Sequence, residues 1–472
     1  LCLFPSLPIP SALLYSGPSE AALKLHYVGT DIKNVDAPAA ILDVAVIRKN
    51  CETMLGTAKL LGVGFRAHVK THKTTQLTRL QVGEDSKFVK VVVSTLAEAE
   101  QLLPFLQECQ SQGKEVNMLY GLPVPLSSIR RLGVLARLLG PSSVSVLVDH
   151  PDKVDELSDL LNDVWPGKIS LFVKVDTGYH RSGASPESKQ LRDVLLKVQQ
   201  RHSSFELLGF YSHMGSSYAA NSSAEAVEYL TLEIERLADA ADVATDLYSF
   251  DADARRFILS LGATPTATAA QNLFDKTPEM TGAMQRFERV RGRYNVELHA
   301  GVYPVLDLQQ LATRARPAYS NRGFPYLSRE NLALRVLVEV ASLYPERGKP
   351  EALIAAGGLA LGREPCKSYP GWAVVSGWTD DGTSNTGLVY DVEDDKADRT
   401  GWIVGRISQE HGILTWEGSQ ENMRQLKIGE KLLLWPNHAC IAGAGFGWYF
   451  VVDSDTNDGD IIRDVWLRWR GW

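Results

Sequence analysis

Short apolar stretches recur between residues 65 and 299, and helix-like stretches separate most of them. The apolar stretches are Phe65–Lys70, Phe88–Ser94, Val116–Tyr120, Ser143–Asp149, Ile169–Asp176, Glu206–His213, Phe257–Leu261 and Val296–His299. The intervening segments, such as Leu96–Gln107 and Ala224–Ala241, read as helices. Strands that alternate with helices in this number and order predict a (β/α)8 barrel. An open doubly wound sheet also alternates, but it usually needs fewer strands, and no dinucleotide-binding fingerprint follows the first strand.

The pattern changes after about residue 333, where β-type stretches follow one another with turn residues between them. These stretches are Val336–Tyr344, Ala352–Ala356, Trp372–Ser376, Trp402–Ser408, Gly412–Trp416, Lys431–Trp435 and Trp448–Val452. We therefore predict a (β/α)8 barrel over residues 36–330 and a C-terminal all-β domain over 331–472. Residues 1–35 are predicted to be a leader with a possible strand that joins the β domain. A short strand, Ala39–Asp43, and a helix, Val44–Leu61, precede the first barrel strand.

Composition narrows the class of protein. The chain has 472 residues, 44% of them hydrophobic and 22% charged, as in an ordinary globular protein of two or three domains. A net charge of −7 argues against nucleic acid as a partner. No apolar run approaches the roughly 20 residues of a membrane span, so we expect no membrane partner. The five cysteines are scattered and odd in number, which favours a reducing compartment and hence the cytoplasm.

The candidate chemistry begins in the run Arg66-Ala67-His68-Val69-Lys70-Thr71-His72-Lys73. Lys70 ends the first predicted barrel strand, and the carboxyl ends of barrel strands are where such folds place their active sites. The alternative is a basic loop that only faces water. After the last two strands, the small residues around Thr264 and Gly301 suit a phosphate held by backbone N–H groups and a threonine hydroxyl. A lysine facing a phosphate site suggests pyridoxal phosphate; the alternative is a sugar phosphate without a Schiff base.

A second candidate lies far along the chain, in Trp435-Pro436-Asn437-His438-Ala439-Cys440. In extended backbone, residues two apart point the same way, so His438 and Cys440 can bind one metal ion. Imidazole and thiolate suit Zn²⁺, and two protein ligands leave positions open for water and substrate. On these residues alone, a His-x-Cys pair without a metal stays the ordinary alternative.

Three runs together resemble one enzyme class: His68-x-Lys70-Thr71-His72-Lys73, the Asp-Thr-Gly-x-x-Arg run that starts at Asp176, and Glu297-Leu298-His299-x-Gly301-x-Tyr303. They resemble the alanine-racemase-like pyridoxal-phosphate enzymes, in the branch of D-threonine aldolase and eukaryotic-type D-serine dehydratase. The resemblance implies that Lys70 is the Schiff-base lysine. It further implies cofactor contacts from His68, Arg181, Tyr211, Tyr218, Thr264, His299, Gly301 and Val302.

The metal run separates the members of that branch. Its dehydratases carry Pro-Asn-His-x-Cys, as residues 436–440 do here, while its aldolases carry an aspartate at the position of Cys440. The resemblance therefore implies a D-serine dehydratase, which makes pyruvate and ammonia. Lys70 would take the Cα proton, and Zn²⁺ on His438 and Cys440 would activate the β-hydroxyl.

Alternatives to the dehydratase are kept open. The first is D-threonine aldolase or a related D-3-hydroxy-amino-acid lyase, and a non-catalytic carrier of pyridoxal phosphate is another. The resemblance also implies a homodimer whose sites lie between the barrel of one subunit and the β domain of the other. The chain departs from the branch at Ser216, where a histidine is common, and at Ala67, where a proline is common.

Overall fold

The computed structural model describes residues 17–160, 164–248, 256–380, 389–391 and 399–471. Its strands are β1 Ala39–Asp43, β2 Gly64–His68, β3 Phe88–Val93, β4 Glu115–Pro123, β5 Val144–Val148, β6 Ile169–Lys174, β7 Phe205–Tyr211, β8 Ile258–Leu261, β9 Asn295–Ala300, β10 Leu334–Tyr344, β11 Glu351–Ile354, β12 Ala373–Val375, β13 Gly401–Ile407, β14 Gly412–Glu417, β15 Lys431–Pro436, β16 Trp448–Val452 and β17 Asp464–Leu467. Its α-helices are α1 Glu20–Tyr27, α2 Val44–Leu61, α3 Thr75–Val82, α4 Leu96–Ser111, α5 Ile129–Leu139, α6 Pro151–Leu160, α7 Lys189–Gln200, α8 Ser223–Tyr248, α9 Thr264–Ala269, α10 Pro278–Arg291, α11 Leu308–Ala312, α12 Gly358–Leu361 and α13 Ala439–Ala444.

Strands β2 to β9 form a closed parallel barrel in chain order. The ring closes where β2 pairs with β9, with Arg66 opposite His299. The predicted fold class, a (β/α)8 barrel followed by a β domain, is confirmed. The first strand is shorter than predicted: it ends at His68, because the chain turns there and the Lys73 N–H donates to the Val69 carbonyl at 2.9 Å. Lys70 therefore lies in the loop that follows β2.

Helix α2 has the bounds that its residue pattern predicts, and its ends show why. The Asp43 side chain accepts a hydrogen bond from the Ala45 N–H and caps the first turn. Gly62 ends the helix with φ of 63°, a left-handed conformation that glycine adopts without steric cost. The buried stripe of the helix, which includes Ile47, Met54 and Leu61, packs toward the barrel and so positions β2.

The second sheet, called the sheet unit below, has the strand order β11-β14-β13-β12-β15-β10-β1-β16-β17. Strand β1 comes from the opposite end of the chain; it pairs antiparallel with β10 and parallel with β16. One strand inside the range 36–330, predicted for the barrel, thus belongs to the sheet unit. All five residues of β1 are buried, so its apolar run predicts a strand but not the sheet that it joins. Because α2 connects β1 directly to β2, the two units share a continuous backbone connection at the barrel's first strand.

Among the described residues, no helix combines the length and the apolar character needed to cross a membrane.

The close contact between strands β7 and β8 can be tested by substituting a glycine. Gly209 of β7 pairs with Ile258 of β8, and a Cβ atom at Gly209 would overlap the Ile258 backbone. We expect Gly209→Ala to lower the free energy of unfolding by about 1–3 kcal/mol, because the overlapped atoms are backbone and have no room to shift. The control is Gly56→Ala in helix α2, where a Cβ meets no atom within 4 Å; it should raise stability by about 0.5–1 kcal/mol. Urea unfolding midpoints measure both, and equal effects would contradict the close pairing.

Candidate active site

A cavity of about 400 Å³ lies at the carboxyl ends of the barrel strands, and the sheet unit supplies part of its wall. Lys70 is half-buried in this wall, and the Cys440 thiol reaches the same space from the sheet unit. The predicted site residues that line the cavity are His68, Lys70, Arg181, Tyr218, Thr264, His299, Gly301, Val302, His438 and Cys440. Residues distant in sequence thus meet in one space.

This arrangement bears on one expectation. The resemblance implied that the barrel of one subunit meets the β domain of another. Within a single chain, however, Lys70 and the His438–Cys440 pair already face the same cavity, because β1 and the loop after β9 fasten the sheet unit to its own barrel. For these groups one chain supplies both sides of the cavity, and a contribution from a second chain stays a prediction.

The loop that carries Lys70 is held on several sides. Lys73 has φ of 49°, and its ammonium group lies 3.1 Å from the buried carboxylate of Glu98. The Lys73 carbonyl accepts a hydrogen bond from the Trp469 N–H at 2.8 Å. A buried ion pair and a backbone contact to the C-terminal segment therefore fix the turn, and Lys70 faces the cavity from a rigid base.

Below the mouth, a buried ion pair joins the two strands that close the barrel. Arg66 of β2 donates to Glu297 of β9 at 2.6 Å, and Lys90 approaches the same carboxylate at 3.0 Å. Burial alone would raise the pKa of Glu297, but the two cations outweigh it and lower that pKa to about 2. The carboxylate is therefore ionised at neutral pH, and it holds β2 and β9 together beneath Lys70 and His299.

His299 lines the cavity, and one of its ring nitrogens has no hydrogen-bond partner among the described residues. Its Nδ1 lies 3.1 Å from the Ser260 hydroxyl, and its Nε2 is buried with no hydrogen-bond partner among the described residues. Burial is the main cause that lowers the pKa of His299, to about 3, so the imidazole is neutral. An orphaned nitrogen in a cavity wall fits a bound ligand.

Tyr211 is not among the residues that line the cavity, and its contact with a cofactor stays a prediction. Its ring stacks on the His299 imidazole, with centroids 4.2 Å apart and planes within 2°. The Lys174 ammonium lies 5.3 Å from the centre of the Tyr211 ring. Tyr211 is paired with Ser260, which in turn is paired with Glu297, two residues before His299. The tyrosine therefore packs against the face of the histidine ring and supports it.

The corner between β8 and β9 is lined by backbone. Gly262 has φ of +146°, and a Cβ there would overlap the His299 carbonyl oxygen. A Cβ at Gly301 would lie 3.2 Å from the His68 carbonyl oxygen. The Thr264 hydroxyl accepts a hydrogen bond from the Val302 N–H at 3.2 Å. Small residues, N–H groups and a hydroxyl thus form a corner of the kind that fits a phosphate.

The metal-binding candidates lie on a segment that the barrel holds in place. His438 immediately precedes α13, and the Ala439 N–H donates to the buried Asp307 carboxylate at 2.9 Å. The same carboxylate accepts from the Gln310 N–H at 3.0 Å. Asp307 follows β9, so a barrel side chain fixes the backbone between His438 and Cys440.

His438 and Cys440 lie close enough that each shifts the pKa of the other. Burial opposes charge on both, but the contact with His438, the nearby Lys70 and the Thr71 hydrogen bond together lower the pKa of the Cys440 thiol. In turn, Cys440 raises the pKa of His438 to about 9 despite its burial. A thiolate is the form of cysteine that binds metal, and the buried His438 Nδ1 has no partner in the described chain. The donor set fits Zn²⁺, although no group of three or more His, Cys, Asp or Glu side chains suited to a metal occurs among the described residues.

Sequence reasoning left several cavity or supporting residues unassigned. Thr71 and Lys174 lie within or beside sequence runs that were already singled out, so those runs could have pointed to them. The pKa of Lys174 falls to about 8, mainly through burial beneath the site. Asp307 and Lys367 lie in unremarkable segments, and nothing in their surroundings distinguishes them. His213 also lines the cavity, and its Nδ1 lies 3.1 Å from the Gly262 carbonyl oxygen.

Two family models match the chain: "Alanine racemase, N-terminal domain" over residues 42–277 and "Putative serine dehydratase domain" over residues 333–452. A D-serine dehydratase of Schizosaccharomyces pombe is 35% identical over 470 residues, which cover 98% of each chain. A D-serine dehydratase of Saccharomyces cerevisiae is 32% identical, over 95% of this chain and 99% of the relative.

Solved structures share the fold. The D-threo-3-hydroxyaspartate dehydratase of Delftia sp. HT23 matches with a TM-score of 0.70 and 23% identity, over 94% of this chain and 100% of its own. The D-threonine aldolase of Filomicrobium marinum matches with a TM-score of 0.63 and 21% identity, over 93% and 97%. Both confirm an alanine-racemase-like barrel with a β-rich C-terminal domain.

Asp307 provides a test of how the metal segment is held. Asp307→Asn keeps the size of the side chain but turns one acceptor into an N–H₂ group, so the Ala439 or Gln310 N–H loses its partner. We expect a loss of about 1–3 kcal/mol in the free energy of unfolding, the cost of an unpaired buried polar group. Asp455→Asn, which removes an exposed pair with Lys49, is the matched control and should cost less than about 1 kcal/mol. Similar urea midpoints for the two variants would argue against this anchoring role.

Proposed function

Because the chain belongs to the D-serine dehydratase family, we propose that it converts D-serine to pyruvate and ammonia as a pyridoxal-phosphate-dependent ammonia-lyase. The observation that carries this proposal is the meeting of Lys70 with the His438–Cys440 pair in one cavity. A base for Cα and a metal site for the β-hydroxyl are the two groups that such an elimination needs at adjacent carbons.

Pyridoxal phosphate fits the barrel side of the cavity. Lys70 would hold it covalently, and the corner formed by Gly262, Thr264, Gly301 and Val302 would take the phosphate. His68, Arg181, Tyr218 and His299 line the remaining wall and would face the ring. When bound, the cofactor supplies a conjugated ring that spreads the negative charge left on Cα.

The residues of the chain move the proton and hold the substrate. Once the amino group of the substrate displaces Lys70 from the cofactor, the freed Nζ atom of Lys70 would take the Cα proton, and its fixed loop keeps that atom at the cavity wall. His68 and His299 stay neutral because burial lowers the pKa of both. At neutral pH, neither histidine therefore takes up the Cα proton in place of Lys70. The β-hydroxyl leaves, and the released aminoacrylate takes up water to give pyruvate and ammonia.

Hydroxide is a poor leaving group, which gives a metal a purpose here. His438 and Cys440 would hold Zn²⁺, which supplies a Lewis acid for the β-hydroxyl. Support comes from the lowered pKa of the Cys440 thiol and from the unpartnered Nδ1 of His438. D-threonine aldolase chemistry is not favoured, because both fungal relatives are D-serine dehydratases and Cys440 is the residue by which the dehydratases differ.

The cytoplasmic location and the homodimer are also proposals. Cys51, Cys109, Cys366 and Cys440 are free thiols, which suits a reducing compartment. Leu359 and Ile441, on the neighbouring helices α12 and α13, are 58% and 43% exposed. These apolar side chains, beside the metal pair, are ones that a second copy of the chain would cover.

Lys70→Ala should remove the visible absorbance of the bound cofactor and lower turnover of D-serine by at least about a thousandfold, because the covalent attachment and the base are lost together. An absorption spectrum and a pyruvate assay measure the two effects. Lys349→Ala, on the surface of the sheet unit, is the control and should leave both unchanged. Turnover retained in Lys70→Ala would refute the assignment.

Removal of the metal should abolish the elimination reaction without releasing the cofactor. A chelator should abolish pyruvate formation while the cofactor absorbance stays, and added Zn²⁺ should restore activity, because the metal acts on the hydroxyl and not on cofactor binding. Metal analysis should find zinc in the wild type but not in His438→Ala or Cys440→Ala. His411→Ala, an exposed histidine of the same unit, should keep its zinc. A thoroughly stripped protein with undiminished activity would exclude this role for the metal.

A further inference from the structure

Thr71 contacts the candidate metal ligand from the barrel side. Its hydroxyl oxygen lies 3.1 Å from the Cys440 sulfur, across 369 positions of sequence. Thr71 is 2% exposed and follows Lys70 directly. Among the hydrogen bonds of the described residues, Cys440 is the partner of this hydroxyl. The side chain therefore joins the lysine loop to the sheet unit inside the cavity wall.

We propose that the Thr71 hydroxyl donates a hydrogen bond to the Cys440 thiolate when the pair holds a metal ion, and that Thr71 is the positioning residue that sets the metal relative to Lys70. This inference rests on the proposed function, because it requires that His438 and Cys440 bind a metal.

The direction of the hydrogen bond follows from chemistry. In a metal-free thiol, either the sulfur or the oxygen is able to donate. A cysteine that binds a metal is deprotonated and has only lone pairs to offer. Thr71 is then the donor, and the bond draws electron density from the sulfur. Hydrogen bonds to metal ligands of this kind orient the ligand and tune the metal.

The position of Thr71 next to Lys70 explains how its contact with Cys440 affects the distance between Lys70 and the metal. The proton and the hydroxyl leave from neighbouring carbons of one small substrate, so Lys70 and the metal must keep a fixed separation. Lys70 is held by the turn that the Lys73–Glu98 pair fixes, and Thr71 is the next residue along that turn. A bond from this residue to the metal-binding sulfur sets that separation directly. If Thr71 only filled space, valine, which has the same shape, would replace it without effect.

The test uses the full chain with bound cofactor and compares Thr71→Val, Thr71→Ser and a matched control, Thr78→Val. Thr78 is also buried, but its hydroxyl bonds to the Thr74 carbonyl at 2.7 Å and not to Cys440. Zinc affinity is measured by competition with a chromophoric chelator. Cobalt is then substituted for zinc, and the thiolate-to-cobalt charge-transfer band is recorded. Circular dichroism checks folding; if Thr71→Val does not fold, Thr71→Ala, which adds no bulk, takes its place with the same expectations.

We expect Thr71→Val to weaken zinc binding by about tenfold or more and to shift the charge-transfer band to longer wavelength, since an unbonded thiolate gives up an electron more easily. Thr71→Ser and Thr78→Val should resemble the wild type in both measurements. An unchanged band and affinity in Thr71→Val overturn the inference while the metal site stands. If wild type and Cys440→Ala bind zinc equally, the proposed metal function fails, and this inference falls with it.

Discussion

The buried carboxylate of Asp307 is the contact on which the geometry of the site depends most. It extends from the loop after the last barrel strand and accepts the N–H of Ala439, between the two candidate metal ligands. Burial raises the pKa of this acid, and the nearby His438 and the backbone N–H groups oppose the shift. Together with the pairing of β1 in the sheet unit, the contact fixes a segment from the end of the chain against the barrel mouth. A cavity that draws on both units follows from this arrangement.

Much of the fold is visible in the sequence because its strands are short, apolar and separated by helices of ordinary amphipathic pattern. What the pattern does not contain is the partner of each strand. Residues 39–43 predict a strand, yet the strand precedes the barrel in the chain and pairs with β10 and β16. The hydrogen-bond partners of an apolar run are decided by tertiary packing, which period and composition do not record.

The residues of the site likewise include some that the sequence predicts and some that it does not. Lys70, His438 and Cys440 are predictable because lysine, histidine and cysteine carry chemistry at recognisable spacings, and the cavity brings them together. For Tyr211, strand position gives the side of the barrel wall but not the neighbour, and the ring stacks on His299 outside the cavity lining. Asp307 and the Thr71–Cys440 contact depend on approaches between distant segments. No local pattern marks such residues, although they decide where the reactive groups lie.

The central claim is that Lys70 and a metal on His438 and Cys440 act in one cavity of one chain. The most direct measurement is a crystal structure of the cofactor-loaded protein with anomalous diffraction recorded at the zinc edge. We expect one anomalous peak bonded to His438 and Cys440, in the same cavity as cofactor density continuous with the Lys70 side chain. A peak elsewhere, no peak, or cofactor density joined to a different lysine would contradict it.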